Sequence, residues 1–469
     1  MSNTNKTGRK IVLTLTALML TTAGLAATGT PPPIGQPKDY QLPVKTTFTL
    51  NNGMRVTLVP FGSVPKVSIV LNIRTGNLNE GEDTWLADLA GELMTEGAGD
   101  MDSALLARTA AELGGAIGVA TGAEMTSISM GSLADKAPEA IALVAAVAQR
   151  PTFPAAELDR IRQDFLRNLS ISRTQPNGQA AMVFYPSLYG EHVFSRIYPS
   201  DEQLLSYTID DVSTYYQANF GAKRSHLYVT GQFDEATVSE AIVEQFSDWS
   251  PGPDPLIDIP TPSREGSLQI VDRPGSPQST VLIGIPVIDV TNPDYSEFQM
   301  ANSVLGGAGF LSRFFRNIRE EKGYSYDPRS STRSHYRDNV WVFTANVNTP
   351  DTGAALKEFF SEIQRLKQAP PTDAELGLIR GYRGGIFVLA NASRGGIIST
   401  LGMMDFNGLP DTYLTEYLSR MQQVTPEQIS AMAESQLPID GMTVVVVGDR
   451  SVIERQLAEI GELKGYFEE

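Results

Sequence analysis

The chain has 469 residues, 41% hydrophobic and 19% charged, the balance of a globular protein. That length has room for two cores of roughly 200 residues each. Its 54 acidic against 37 basic side chains give a formal net charge of −17, which argues against nucleic acid, whose phosphates need a basic face. No cysteine is present, so disulfides, thiolate chemistry, zinc–thiolate sites and a lipoprotein anchor are excluded.

The first ten residues, MSNTNKTGRK, carry Lys6, Arg9 and Lys10, followed by the apolar run IVLTLTALMLTTA and the small-residue stretch GLAATGT. This is the order of a secretory signal, with cleavage expected after Ala26 or Ala27. The apolar run, about 13 residues, falls short of the roughly 20 needed to span a bilayer. Residues 1–27 are therefore expected to be a signal peptide and 28–43 a proline-rich tether. The expected location is the periplasm, with membrane contact only through an uncleaved signal.

Further along, VPKVSIVLNIRTG (64–76) reads as a strand, and TWLADLAGELMTEGAG (84–99) as an amphipathic helix running into glycines. Leu86, Leu89, Ala90 and Leu93 share one face of that helix, while Asp88, Glu92 and Glu96 form a stripe opposite. An acidic stripe of this kind is expected to be solvated, and two carboxylates alone would hold a hard cation poorly.

The chain then repeats itself. AIALVAAVAQRPTFPAAELDRIRQDFL (140–166) resembles AALKEFFSEIQRLKQAPPTDAELGLIRGYR (354–383), and residues 207–234 parallel 424–451. In the second pair a capped helix, a turn and a β-branched strand end in Gly231 and Gly448, 217 residues apart. That period is far too long for a solenoid. It predicts an α+β protein of two homologous domains, 44–249 and 267–469, each a mostly antiparallel sheet with helices on one face. The linker between them is SPGPDPLIDIPTPSREG (250–266), with five prolines.

His192, His226 and His335 are the only histidines, separated by 34 and 109 residues. Such gaps fit no local ligand spacing, and each reads as a packing or surface residue. A zinc-activated water needs about three histidines or carboxylates converging, which the sequence does not place together locally.

The second half holds ANSVLGGAGFLSRFFRNIREEKGYSYDPRS (301–330). Leu311, Phe314, Phe315 and Ile318 predict a buried helical stripe, with Arg313 and Glu320 toward solvent and Arg319 on the margin. Gly323 is expected at the C′ position, and Tyr326 at the start of the next strand. An arginine fork beside a phenol suits a carbonyl oxygen and the oxyanion it becomes. On spacing alone, a structural arginine at a helix end with a core tyrosine is the favoured reading. LGGAGF (305–310), with Gly306 and Gly307, has no P-loop lysine and reads as a place where backbone closely approaches something.

Over roughly residues 44–465 the chain resembles the insulinase/pitrilysin family of zinc metallopeptidases, the inverzincins. The resemblance rests on FTLNNGMRVTLVP, LADLAGELMTEGAG, VDRPGSPQS and above all LGGAGFLSRFFRNIREEKGYSYD. It is nearest to the short two-domain members that work as pairs of chains. It implies the metallopeptidase αβ-roll fold, and it places the family's motif arginine and tyrosine on Arg319 and Tyr326. The family's H-x-x-E-H helix falls here on Asp88, Gly91 and Glu92, and its distal glutamate ligand near Asn168. All four positions are changed. The resemblance thus implies the non-zinc subunit of a heterodimeric metallopeptidase. This chain would bind no cofactor, and a homologous H-x-x-E-H partner would supply zinc and base. Arg319 and Tyr326 would hold the carbonyl of an unfolded peptide, and the Gly306–Gly307 segment would line the groove by strand addition. The alternative is an inert structural or peptide-binding homologue of the same fold. An autonomous hydrolase has little to draw on: the sequence has no G-x-S-x-G serine and no cysteine.

Overall fold

Two sheets organise the chain, whose structure is a computed structural model describing residues 40–459. The expected signal segment and residues 28–39 of the tether lie outside the described residues, as do 460–469. The first half supplies strands β1 (Thr46–Thr49), β2 (Arg55–Pro60), β3 (Lys66–Ile73), β4 (Gly97–Ala98), β5 (Met101–Asp102), β6 (Ile117–Thr121), β7 (Thr126–Leu133) and β8 (Ser225–Gly231). The second supplies β9 (Ser267–Asp272), β10 (Gln278–Pro286), β11 (Arg329–His335), β12 (Asp338–Asn348) and β13 (Thr443–Gly448). Residues 250–266 carry neither helix nor strand.

The six-stranded sheet runs β1-β2-β8-β3-β7-β6 and the five-stranded sheet β11-β12-β10-β13-β9. Read from its other edge, the second sheet reproduces the first strand for strand, except that β1 has no counterpart among the described residues. Even the exceptions to antiparallel pairing correspond: β2 runs parallel to β8, and β9 parallel to β13. The helices repeat too. Ala137–Gln149 and Ala155–Thr174 answer Thr352–Gln368 and Asp373–Ala390. The helices before β8 and β13 each open on a threonine capping box, Thr208 with Asp211 and Thr425 with Gln428.

The sequence pattern explains which strands lie where. In β3, Val67, Ile69, Leu71 and Ile73 alternate onto one face and enter the first core. Strands β8 and β13 are buried along their whole length, so TVVVVG shows no alternation. Val444 and Val446 face the second half's own helices, and Val445 and Val447 face the other side.

That other side is covered by a helix from the opposite half. Helix Pro176–Tyr189 of the first half lays Ala180, Phe184 and Leu188 on Val340, Val342, Val445 and Val447 of the second sheet. Helix Arg394–Asn407 of the second half lays Ile397, Ile398 and Leu401 on Val59 and Tyr228 of the first. Helices were expected on one face of each sheet. Each half does pack its own helices there, and the exchanged helix adds a layer on the second face. The physical reason is that a central strand apolar on both faces needs two covers. Gly284 in β10 forms part of the seat: a Cβ there would lie 2.5 Å from Phe184 Cζ. Among the described residues no single helix is long and apolar enough to cross a membrane.

Candidate functional site

Helix Leu86–Leu93 buries Leu86, Ala87, Leu89, Ala90 and Leu93 in the first core. The expected solvated stripe is only partly so. Glu92 is exposed, but Asp88 is half-buried and accepts a 2.6 Å hydrogen bond from Asn77 Nδ2. Glu96 is drawn into an ion pair with Arg160 of helix Ala155–Thr174. Asp88 faces inward because the segment before the helix folds back over it. From that segment Glu80, 6% exposed, accepts from Trp85 N–H (2.9 Å), Ala87 N–H (3.0 Å) and Asn77 Nδ2 (3.1 Å). Its carboxylate thus caps the helix N-terminus from outside the helix. Burial pushes its pKa up to about 7, repulsion from Asp88 adds to the rise, and the backbone hydrogen bonds oppose it. Burial likewise raises the Asp88 carboxyl. Trp85 holds the left-handed conformation (φ 69°) at the N-cap, braced by the rings of Phe165 and Tyr198.

These residues do not fit a zinc ion. Gly91 stands where the family has its general base, and it is buried against Thr121; a Cβ there would run into Thr121 Oγ1. Thr121 Oγ1 in turn donates to Ala87 O (3.4 Å), so the space a glutamate stem would use is filled. Asn168 is exposed on Ala155–Thr174. Among the described residues no three histidines, aspartates or glutamates converge.

The second motif departs from one continuous α-helix. Helix Tyr295–Asn302 passes into wide π turns over Ser303–Gly307, breaks, and resumes as the π-helix Phe315–Glu321. Phe314, Phe315 and Ile318 are buried as expected, with Leu311 packed partly against the same core. Arg313 is a correction: it is 7% exposed and makes a bidentate pair with Glu375, Nε–Oε1 2.9 Å and Nη2–Oε2 3.0 Å. Helix Asp373–Ala390 covers the face that periodicity alone had left to solvent. Glu320 is exposed as expected. Gly323 takes φ 70°, and the turn closes with Gly323 N–H on Arg319 O and Tyr324 N–H on Ile318 O. Strand β11 starts at Arg329, so Tyr326 lies in the bend before it, after the isolated bridge from Ser325 to Val347.

Arg319 and Tyr326 are brought together. The Arg319 guanidinium carbon sits 4.0 Å from the Tyr326 ring centre and 4.5 Å from that of Phe315. Tyr326 is 77% exposed. Among the described residues no acceptor or carboxylate engages the guanidinium, so its N–H edges stay available to an external oxygen. Gly306 has a local explanation: a Cβ there would meet Ser330 N at 2.6 Å and Phe314 Cδ2 at 2.8 Å, so the bare backbone admits β11. A Cβ on Gly307 would meet Asn302 Nδ2 at 2.7 Å.

The histidines stay apart from both motifs. His226 is buried in β8 between Thr57 (2.8 Å) and Tyr228 (2.9 Å), and burial lowers its pKa to about 4. His335 stacks on Phe194, which also packs edge-on against His192 and Tyr189. Glu80 was missed in the sequence; its only signal is an acidic residue a few positions ahead of a helix start.

Two family models match the chain: "Insulinase (Peptidase family M16)" over residues 56–184 and "Peptidase M16 inactive domain" over 206–380. An uncharacterised zinc protease of Streptomyces coelicolor is 22% identical over 333 residues, 69% of this chain and 72% of that protein. Another, from Bacillus subtilis, is 22% identical over 396 residues, 82% of this chain and 94% of that one. Among solved structures, the peptidase M16 inactive domain from Pseudomonas fluorescens superposes with a TM-score of 0.80 at 26% identity, covering 86% of this chain and 98% of that one. The periplasmic protease PqqL from Escherichia coli does so with a TM-score of 0.75 at 16% identity, over 96% of this chain but 49% of that one. Fold, motif geometry and matched families agree: the chain belongs to the insulinase (M16) peptidase family.

Proposed function

We propose that the protein is the non-zinc subunit of a periplasmic heterodimeric zinc metallopeptidase. A homologous H-x-x-E-H chain would supply the metal and base, and this chain would hold the peptide through Arg319 and Tyr326. The observation that carries the reading is the Arg319–Tyr326 pair: an arginine fork that meets no acceptor among the described residues, stacked on a phenol 77% exposed. Arg313, by contrast, is paired with Glu375. Several relatives bear the name zinc protease, yet the helix that would hold zinc here carries Asp88, Gly91 and Glu92, with Gly91 packed against Thr121. Two-chain operation is supported by the likeness to PqqL, of whose length this chain spans about half. Gly306 and Gly307 admit neighbouring groups of this chain, so the proposal assigns the peptide to Arg319 and Tyr326.

The test mixes this chain with a homologous H-x-x-E-H chain from the same cell and a quenched peptide. Activity is expected only in the mixture. Arg319→Ala is expected to lower it by about 10²–10³, the usual cost of one oxyanion donor, and Tyr326→Phe to lower it less. Peptidase activity of this chain alone, with one bound zinc per chain, would overturn the proposal.

A further inference from the structure

A cavity of about 150 Å³ opens where the two halves meet beside the first sheet, and its wall is unusually basic. Arg55, Arg74, Lys223 and Arg224 line it, against the single carboxylate of Asp405. This concentration of positive charge occurs in a protein of net charge −17. Two of the four cations are accounted for: Arg55 pairs with Asp405 at 3.2 Å, and Lys223 with Asp254 at 3.3 Å.

The other two are not. Arg224 is 6% exposed and donates Nε to Asp254 O (3.1 Å) and Nη1 to Asn219 Oδ1 (3.4 Å). Its Nη2 has no partner among the described residues, and no carboxylate lies within ion-pair distance. Arg74 follows β3, its guanidinium carbon 5.0 Å from the Tyr336 ring centre and 4.8 Å from that of Phe406. These rings come from the second half. Stacking engages the faces of the guanidinium and leaves the in-plane N–H donors free. Among the described residues none of them meets an acceptor. Glu124 and Asp254 act on the pair only at longer range, and the two guanidiniums repel each other. A buried guanidinium beside a half-buried one, neither ion-paired, leaves positive charge uncompensated at the cavity wall; a bound anion would offset it. A planar fork selects an oxyanion. Since a water takes about 30 Å³, a space of about 150 Å³ has room for a phosphate or a short carboxylate.

We propose that this cavity binds one small oxyanion, of the phosphate or short-carboxylate class, held by Arg74 and Arg224 and clamping the first sheet to the Tyr336 hairpin and helix Arg394–Asn407. Binding would be independent of the Arg319–Tyr326 pair and of any partner chain.

The full chain is titrated calorimetrically with inorganic phosphate and, separately, with succinate, against sodium chloride at matched ionic strength. Thermal unfolding is followed under the same three conditions. Saturable binding of one equivalent and a raised melting temperature are expected with one of the two oxyanions, and that arm identifies the source. Arg74→Gln should weaken binding by about tenfold or more, the value of a charge-assisted hydrogen bond pair. Lys223→Gln, which removes the same charge at the rim, should change it much less. Absence of saturation by either anion at about 10 mM, where no specific site would remain, overturns the proposal. So does equal loss in Arg74→Gln and Lys223→Gln. Should Arg74→Gln fail to fold, the wild-type titration decides alone.

Discussion

Glu80 couples the fold to pH near neutrality. Its pKa is raised from the ordinary 4.5 to about 7, chiefly by burial. The folded state therefore holds its proton more tightly than the unfolded state does. The stability it contributes is complete below about pH 4.5 and is lost as pH rises through about 7. We expect the unfolding free energy to fall between about pH 5 and pH 8 by up to about 3 kcal/mol on account of this group. Urea melts across that range should show a flatter profile in Glu80→Gln, and an unchanged slope would refute the assignment. The two motif arginines should also separate by stability. Arg313→Ala leaves the half-buried Glu375 without its bidentate partner and should cost about 1–3 kcal/mol. Arg319→Ala removes a group that is stacked on Tyr326 and Phe315 but has no ion pair among the described residues, and should stay within about 1 kcal/mol. Sequence placed Arg319 correctly on the margin of its helix. It could not place Arg313, because Glu375 lies 62 residues away on another helix.

At the scale of the element, the motif segment shows where periodicity reads well and where it stops. Gly323 as a helix terminator was legible because only glycine adopts φ 70° without cost. Gly323→Ala should destabilise by about 1 kcal/mol in thermal or urea unfolding. The π turns at 303–307 and 315–321 were not legible. Their wider spacing satisfies the backbone differently from an α-helix, while the apolar residues still fall inside. Gly306 was legible as a close approach but not as an approach to Ser330. Gly306→Ala should therefore cost about 1–3 kcal/mol of stability, with the loss read in the unfolding transition even where no peptide is present.

Across the whole molecule, the exchange of helices couples the halves. Phe184 is fully buried, yet it belongs to the first half and packs on the second sheet. Phe184→Ala should cost about 3–5 kcal/mol. Hydrogen exchange should then report the lost protection in β10 and β13, far along the chain from the mutation. Loss of protection confined to the first sheet would show that the coupling is absent.

The duplicated pattern of residues 140–166 and 354–383, with the capping threonines, was enough by itself to predict two copies of one α+β unit. These follow from local rules: periodicity, capping and turn chemistry act between residues near in sequence. Tertiary structure alone decided that Asp88 turns inward to Asn77, that Arg313 is paired, that each half lends a helix to the other, and that Arg74 and Arg224 face one cavity. Each of these depends on a partner dozens to hundreds of residues away, and no window along the chain contains both members of the pair.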